Sequence, residues 1–449
     1  MTQYIPIIGL EIHVELKTKS KMFCQCSADY FHMKPNSNTC PVCLGLPGAL
    51  PVPNKTAIEW TMKIGKALNC KLNTHFKFDR KHYFYPDLPK GYQISQLDKP
   101  ICGEGHVEVF FPAKNKEAPQ SHVKKFRIER VHLEEDTGKL SHKNSTSLID
   151  FNRSGVPLVE IVTGPDFESA EEVKAFLEEL YTIITYLDVS DANLDEGSMR
   201  MEPNISLTLK RGVFPDYKVE VKNINSFNFA KKAIEFEIRR QTAILEKGKT
   251  PKQETRGYNE DKGITFAQRS KEEAKDYRYF SDPDIPPFVY TKGQIDKITR
   301  DIPELPLARL TRFISSYGLR DSDAFQLTRT VNTAEYFESV LNECAKEKRK
   351  ELAQKIAHAI INKRISTKLS PKEFAEKLLE SLTPKETDIT LLKDTIDRVL
   401  ARNAKAVSDY KKGKTSVIMF LVGQAMREMK GKADASMVRI ELEKSFKNN

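Results

Sequence analysis

Four of the seven cysteines form two close pairs, and this spacing restricts the fold of the N-terminal segment more than any other sequence feature. One residue separates Cys24 from Cys26, and two residues separate Cys40 from Cys43. Each pair can chelate a metal ion from one tight turn, and four thiolates at about 2.3 Å complete the tetrahedral shell of a structural zinc ion. The spacing therefore predicts a zinc site that gathers residues 24–43 around one point.

Disulfides, packed thiols and a catalytic zinc ion account less well for the spacing of the four cysteines. Disulfides are rare in a reducing cytosol, and thiols that pack as small apolar side chains do not require close pairs. A catalytic zinc ion needs an open ligand position, which four sulfur ligands do not leave. Cys70, Cys102 and Cys344 stand alone in the sequence, and we interpret them as core or surface thiols.

The first 290 residues combine strand and helix patterns. Residues 8–16 alternate strictly, so Ile, Leu and Val share one face of a strand while Glu11, His13 and Glu15 share the other face. Similar strand-like runs occur at residues 107–111, 156–162 and 218–221. This part of the chain therefore predicts a mixed α and β structure.

Helical patterns dominate after two proline-rich segments, residues 283–287 and 303–306. Two segments there, which begin at Ser370 and Thr383, combine an N-cap residue with an acidic residue three positions later and predict helix starts. The same capping pattern begins at Ser169, in the earlier part of the chain. Near the C-terminus, residues 417–429 predict a helix, and a second short helix is expected from about Asp434. These two helices would form a small basic hairpin.

The positive charge of the chain is concentrated near its end. The formal net charge is +10, and residues 401–449 contain 11 Lys and Arg against 5 Asp and Glu. A local excess of this kind favours a polyanionic partner such as RNA through counterion release, although many basic surfaces are only solvated.

The composition also bears on domain number and location. A chain of 449 residues predicts roughly two to four domains. No apolar run approaches the ~20 residues that span a bilayer, and the first residues lack the basic start and apolar run of a signal peptide. We therefore expect a soluble, cytoplasmic protein that makes no membrane contact.

Carboxylates and imidazoles form a possible cation site. Glu11 and His13 share a strand face, residues 132–136 add His, Glu and Asp, and Glu160 lies within an otherwise apolar strand. These side chains offer the oxygen and nitrogen ligands that Mg²⁺ accepts. Surface salt bridges are the alternative, and the spacing does not decide between the two.

Three segments are rich in groups that can contact a substrate. Residues 78–93 mix basic and aromatic side chains, which suits either an RNA end or the core of an ordinary hairpin. Residues 220–227 run from a strand into an amide-rich loop, and residues 268–279 are charged but are also compatible with a solvated helix. The candidate cofactor-binding residues are Lys81, Tyr85, Lys222, Asn223, Ser226 and Arg278. Phosphate-loop, dinucleotide-binding and nucleophile-elbow motifs are absent from the sequence.

The whole chain resembles the B-subunit family of the bacterial Asp/Glu-tRNA amidotransferases. The matching stretches are residues 9–13, 40–48, 84–87, 91–96, 132–138, 150–155, 220–229, 253–256, 276–279, 420–424 and 430–433. So many long motifs in one order make the resemblance specific. It implies an α+β fold with a cradle-shaped, mixed-sheet catalytic domain that carries the zinc-binding segment (1–292). An all-helical domain (293–383) and a small helical tail that binds tRNA (384–449) would follow.

The resemblance also implies a chemistry. ATP would phosphorylate the side-chain carboxylate of Glu or Asp mischarged on tRNA(Gln), tRNA(Asn) or both. Ammonia from a partner glutaminase, the A subunit, would then displace phosphate, and a small C subunit would complete a heterotrimer. By position, the catalytic Mg²⁺ ligands would be Glu11, His13, Glu134 and Glu160, and the zinc ligands would be Cys24, Cys26, Cys40 and Cys43.

Two positions depart from the family pattern. Glu202, followed by Pro203, stands where the family usually has Asp, so its carboxylate reaches one methylene further and its role stays open. Ser281 and Asp282 replace a Pro-Glu pair in a turn that still keeps an acidic residue. Two other functions compete with the amidotransferase interpretation: a zinc-ribbon RNA-binding factor without enzyme activity, and a metal-dependent hydrolase that uses the Glu and His cluster.

Overall fold

The computed structural model describes residues 4–113, 120–144, 146–270, 277–382, 389–429 and 433–447. The chain forms two compact units, Met1–Phe337 and Glu338–Asn449. The predicted capping box at Thr383 lies outside the described residues, and the three-part domain division stays a prediction.

The fold is built from the following strands and helices. The strands are β1 (Ile5–Glu15), β2 (His75–Phe76), β3 (Asp79–His82), β4 (Tyr92–Ser95), β5 (Gly105–Phe111), β6 (His122–Glu135), β7 (Lys139–Lys143), β8 (Thr146–Asp150), β9 (Pro157–Thr163), β10 (Met199–Thr208), β11 (Val219–Lys222), β12 (Glu254–Asn259), β13 (Ile264–Ser270), β14 (Phe280–Ser281) and β15 (Phe288–Val289). The helices are α1 (Lys55–Ala67), α2 (Ala170–Leu187), α3 (Phe227–Leu245), α4 (Lys292–Thr299), α5 (Pro306–Tyr317), α6 (Asp321–Leu327), α7 (Val331–Glu343), α8 (Arg349–Ile361), α9 (Pro371–Leu382), α10 (Ile389–Arg402), α11 (Ala404–Lys411), α12 (Ile418–Glu428) and α13 (Ala435–Lys447).

An eight-stranded sheet forms the centre of the first unit, in the order β13-β12-β11-β10-β1-β9-β6-β5. Neighbouring strands pair antiparallel, except that β11 and β12 are parallel. The sheet is therefore mixed, and from Lys292 onward the described elements are helices. The α+β class, the large mixed sheet and the helical C-terminal region are confirmed.

The two-residue repeat of β1 decides which face of the sheet becomes core. Ile8, Leu10, Ile12 and Val14 are no more than 1% exposed, as the strict alternation predicts. The helices α1, α2 and α3 pack on the sheet through β6, β5 and β10. The polar side chains of β1 lie on the opposite face of the sheet.

Capping groups fix where two of these helices begin. The Ser169 hydroxyl accepts a hydrogen bond from the Glu172 backbone N–H at 3.2 Å, and α2 ends at Leu187 as predicted. The Glu172 carboxylate accepts from the Glu168 N–H (2.9 Å), one residue before the N-cap. Ser226 caps α3 in the same way by accepting from the Phe229 N–H at 3.1 Å.

The described secondary-structure elements of the second unit are all helices. A capping box starts α9, since the Glu373 N–H donates to the Ser370 hydroxyl (3.3 Å) and the Ser370 N–H donates to the Glu373 carboxylate (2.9 Å). The predicted C-terminal hairpin is present as α12 and α13, which share an apolar core with α10 through Leu392, Leu421 and Leu442. In the described part of the chain, every helix is too short or too polar to cross a membrane.

Candidate active site and metal centre

The four paired cysteines meet at one point in the segment between β1 and α1. Their sulfur atoms all lie within 4.8 Å of one another. The Cys40 and Cys43 sulfurs are 3.8 Å apart, which matches the edge of about 3.8 Å in a tetrahedron with 2.3 Å zinc–sulfur bonds. A hydrogen bond with Cys24 holds the pKa of Cys43 well below its ordinary value, which favours the thiolate form that binds metal ions. The donor set and its spacing fit a structural zinc ion.

A buried lysine lies beside this cluster. The Lys21 side chain is fully buried, and its ammonium lies 3.7 Å from the Cys43 sulfur. It also donates to the backbone oxygens of Asn38 (2.9 Å) and Phe151 (3.4 Å). No carboxylate of the described residues lies within ion-pair distance of it. Since four thiolates and one zinc ion leave a net negative charge, Lys21 is placed to compensate that charge.

The cluster is joined to the sheet by the loop after β8. The Ser154 hydroxyl donates to the Cys43 backbone oxygen at 3.1 Å. The neighbouring Arg153 donates to the backbone oxygens of Thr137 and Gly138, each at 2.9 Å. This loop therefore links the cysteine cluster to the chain segment that follows β6.

A cavity of about 560 Å³ lies over the polar face of the sheet. Its acidic lining residues are Glu11, Glu134, Asp136, Glu160, Glu202 and Glu220, and its basic ones are Lys81, Arg130, Arg200 and Lys222. The strand register brings the acidic residues together, since Glu11 lies opposite Glu202 and His13 lies opposite Glu160. Residues far apart in sequence thus become neighbours.

Two histidines and two glutamates form the first acidic group. His13 Nε2 is 3.4 Å from Glu160 Oε2 and 3.8 Å from Glu134 Oε1. His132 Nε2 lies 3.3 Å from the same Glu160 oxygen and 3.7 Å from Glu134 Oε2. Burial is the largest single influence and lowers the pKa of His132, but the charges of Glu160 and Glu134 and the hydrogen bonds with them together raise this pKa to about 9. One oxygen or nitrogen each of His13, Glu134 and Glu160 can meet around one metal ion.

Three carboxylates form the second acidic group. Oxygens of Glu11, Glu202 and Glu220 lie within 4.8 Å of one another. The Lys222 ammonium donates to Glu202 at 2.8 Å and lies 3.7 Å from Glu220. Burial, followed by the charges of nearby glutamates that include Glu160, raises the pKa of Glu11 above its ordinary value. A cation bound here would relieve this repulsion, so the site's chemistry fits a divalent metal ion.

Aromatic rings form another part of the cavity wall. The Lys81 ammonium lies 5.2 Å from the centre of the Tyr277 ring and 5.9 Å from that of Tyr83. Burial opposes its charge, but the negative fields of Glu134 and other nearby groups raise the pKa of Lys81. Lys81 therefore carries a positive charge and lies close to the rings of Tyr83 and Tyr277.

A bulge in β6 places three more functional groups in the cavity. Ile128 pairs with Thr163, but Arg130 already pairs with Val162, so two residues of β6 oppose one residue of β9. The extra residue reverses the alternation of the strand. Ile128 faces the core, whereas Arg130, His132 and Glu134 line the cavity. Our sequence interpretation did not assign a role to Arg130, although the break in alternation is visible in the sequence.

The predicted site residues divide into two sets. All four predicted magnesium ligands, together with Lys81 and Lys222, line the cavity. The other predicted cofactor-binding residues, Tyr85, Asn223, Ser226 and Arg278, are not among its described lining residues. Ser226 is the N-cap of α3, and Tyr85 is 53% exposed.

Comparison with known proteins agrees with the resemblance seen in the sequence. The family described as "GatB/GatE catalytic domain" matches residues 6–296, and the family described as "GatB domain" matches residues 323–446. The fold and site thus define an α+β protein with a four-cysteine cluster that can hold a metal ion and with an acidic cavity.

Similar proteins, each named as the B subunit of an aspartyl/glutamyl-tRNA(Asn/Gln) amidotransferase, extend the match to the whole chain. The protein from Carboxydothermus hydrogenoformans is 42% identical over 98% of both chains. The Thermosipho melanesiensis protein is 42% identical over 96% of this chain and 97% of its own, and the Thermotoga maritima protein is 41% identical over 98% and 99%. The chain belongs to the family of amidotransferase B subunits.

We predict about one zinc ion per chain, bound by the four cysteines. Replacing Cys40 with Ser should lower the zinc content to near zero and lower the thermal unfolding midpoint, because a structural metal contributes folding free energy directly. Elemental analysis and thermal unfolding of purified protein measure both effects. Cys344→Ser, in the other unit, should keep the zinc. Purified wild-type protein without zinc, whose paired cysteines react freely with alkylating reagents in the native state, would contradict the assignment.

Lys21→Met should weaken zinc retention while keeping all four ligands. The substitution removes the positive charge beside Cys43 but keeps a side chain of similar length, so the metal should be lost faster to a chelator. The rate of zinc transfer to a chromophoric chelator measures this directly. Lys19→Met, at an exposed position on the same segment, is the matched control. Equal transfer rates for wild type and Lys21→Met would show that the ammonium does not stabilise the bound metal.

Proposed function

We propose that this chain is the subunit of a tRNA-dependent amidotransferase that phosphorylates the substrate. The substrate would be Glu or Asp mischarged on tRNA(Gln) or tRNA(Asn), and ATP would phosphorylate its side-chain carboxylate. Ammonia would then replace phosphate to give the amide. The enzyme would thus be an ATP-dependent ligase that forms a carbon–nitrogen bond, with glutamine as the amido donor.

The pair of adjacent acidic groups in one cavity is the observation that carries this proposal. Glu11 belongs to one group and His13 to the other, two residues apart on β1. Divalent cations bound there would neutralise charge on the phosphates of ATP, which is the main requirement of phosphoryl transfer. Lys81 and Lys222 would add fixed positive charge around the same phosphates.

The partners follow from the chemistry and from the name that the relatives carry. The designation of the relatives as B subunits implies further subunits, and ammonia requires a source. We therefore propose a glutaminase, the A subunit, and a small C subunit as partners in a heterotrimer. The charged tRNA would present its aminoacyl end to the cavity, and the basic residues of the second unit would hold other parts of the RNA.

One assay separates this function from its two competitors. ATP turnover is measured with the assembled enzyme, with and without mischarged Glu-tRNA(Gln) or Asp-tRNA(Asn). The amidotransferase function requires ATP turnover that the mischarged tRNA stimulates. An RNA-binding factor would bind tRNA without any turnover, and a metal-dependent hydrolase would act without ATP.

Removing a carboxylate from either acidic group should stop the chemistry but not tRNA binding. We expect Glu134→Gln and Glu11→Gln to lower ATP turnover and amide formation at least about a hundredfold, because each substitution removes an anionic ligand at nearly constant volume. Dissociation constants for tRNA should change little, since Lys and Arg residues elsewhere contact the RNA phosphates.

The matched control is Glu171→Gln, in the first turn of α2, where the carboxylate pairs with Lys231 outside the cavity. It should behave as wild type. If the Glu134 and Glu11 variants kept wild-type turnover at saturating Mg²⁺, these residues would be ordinary salt-bridge partners.

The C-terminal basic residues should act on tRNA affinity and leave the chemical step unchanged. Lys405 and Lys412 are exposed on and beside α11, and their replacement by Glu spares the apolar core that α10, α12 and α13 share. Each lost phosphate contact should lower the slope of log K against log salt by roughly 0.7–0.9. The KM for charged tRNA should rise while the glutaminase activity of the partner stays unchanged.

Titrations with the same mischarged tRNA at several salt concentrations measure the KM and the slope. Lys292→Glu, at an exposed position in the first unit, serves as a control with the same charge change per residue. Identical slopes and KM values for wild type and the double variant would mean that this basic surface is only solvated.

A further inference from the structure

The four Lys and Arg side chains that line the cavity differ in how closely a carboxylate or a ring pairs with each positive charge. Arg200 lies 2.5 Å from Asp136, and Lys222 lies 2.8 Å from Glu202. Lys81 is held over two tyrosine rings. Arg130 has no comparable contact, because its closest carboxylate oxygen among the described residues, Glu160 Oε1, is 4.0 Å from Nη2. That separation is too long for a hydrogen bond.

The guanidinium of Arg130 also holds a buried donor without a partner. Its Nε is buried and makes no hydrogen bond with the described part of the protein, although the side chain as a whole is 36% exposed. A buried N–H that is left unpaired destabilises the folded chain. The terminal nitrogens, on the exposed part of the same side chain, are the donors that a ligand in the cavity can reach.

The backbone directs this side chain into the cavity. Without the bulge in β6, Arg130 would share a face with Ile128 and enter the apolar core. The bulge instead places Arg130 in the cavity wall near Glu160, on the same face as His132. Bulges commonly redirect a side chain next to an active site. The position of the Arg130 side chain and its guanidinium, which is unpaired at Nε, therefore both indicate that it binds a ligand in the cavity.

We infer that Arg130 binds the phosphoryl group that is transferred, an inference that rests on the proposed function. Arginine presents a planar fork of donors that matches phosphate oxygens. A phosphoryl group has enough non-bridging oxygens to contact a cation near Glu160 and the Arg130 guanidinium at once. On the acceptor carboxylate, the same guanidinium would withdraw charge from the attacking oxygen and slow the reaction.

An oxygen of the substrate carboxylate forms a bond to the γ-phosphorus of ATP, while the bond from that phosphorus to the β,γ-bridging oxygen breaks. ADP leaves with the electron pair of the broken bond, and the product is an acyl phosphate. Arg130 donates to non-bridging oxygens of the group in transfer and stabilises the charge that they carry.

The experiment compares nucleotide binding and turnover in the assembled enzyme. Dissociation constants are measured with Mg²⁺ for ADP and for the β,γ-imido analogue of ATP. Wild type should bind the analogue more tightly than ADP, and Arg130→Lys should lose that preference, because only the analogue carries a γ-phosphoryl group. ATP turnover with mischarged tRNA should fall on the order of a thousandfold, with an unchanged KM for the tRNA.

Two further variants separate chemistry from folding. Arg130→Ala should recover part of its turnover when guanidinium ion is added, which a misfolded chain cannot do. Arg127→Lys changes an exposed arginine of the same strand, paired with Asp166 at 2.6 Å, and should behave as wild type.

Three results would overturn the assignment. Arg130→Lys that keeps both turnover and the preference for the analogue would exclude any contact with the γ-phosphoryl group. If Arg130→Lys raised the KM for charged tRNA and left the nucleotide preference unchanged, Arg130 would contact the acceptor carboxylate instead. A wild-type enzyme that binds neither nucleotide would reject the proposed function and this inference together.

Discussion

The pairing of β1 between β9 and β10 is the constraint on which the other features depend. Its two-residue repeat gives Ile8, Leu10 and Ile12 to the helix-covered core and gives Glu11 and His13 to the cavity. A shift of one residue in this register would exchange the two faces, burying a carboxylate and an imidazole in the core. Such an exchange costs several kcal/mol for each unpaired charge, on the order of the stability of a whole domain. The register is therefore fixed by burial itself.

The same register concentrates negative charge in the cavity, and nearby Lys and Arg side chains partly neutralise it. Lys222 pairs with Glu202, and Arg200 pairs with Asp136, while the pKa of Glu11 stays raised by burial and neighbouring carboxylates. The segment that follows β6 is fastened by Arg153, whose neighbour Ser154 donates to the Cys43 backbone. Hydrogen bonds of this loop therefore join the cysteine cluster to Thr137 in the cavity wall.

Much of the local structure was predictable because its causes lie close together in the sequence. The strand at residues 8–16, the helix that Ser169 caps and the C-terminal hairpin all follow from patterns within one element. Ser226, which was predicted to bind the cofactor, is the N-cap of α3, a role that the sequence interpretation did not assign to it. Hydroxyl-rich loops serve caps and ligands alike, and only the position of the helix shows that Ser226 is a cap.

The sequence by itself predicted that the four cysteines cluster, since two close pairs with the spacing of zinc ligands favour one shared centre. It also determined that Glu11 and His13 share a strand face. The tertiary structure alone decided which distant side chains join them, because strand order brings Glu160 and Glu202 to either side of β1. It also decided which residue of β9 lies opposite Arg130, because a bulge exists only relative to a partner strand and the register of β6 with β9 cannot be read from β6 alone.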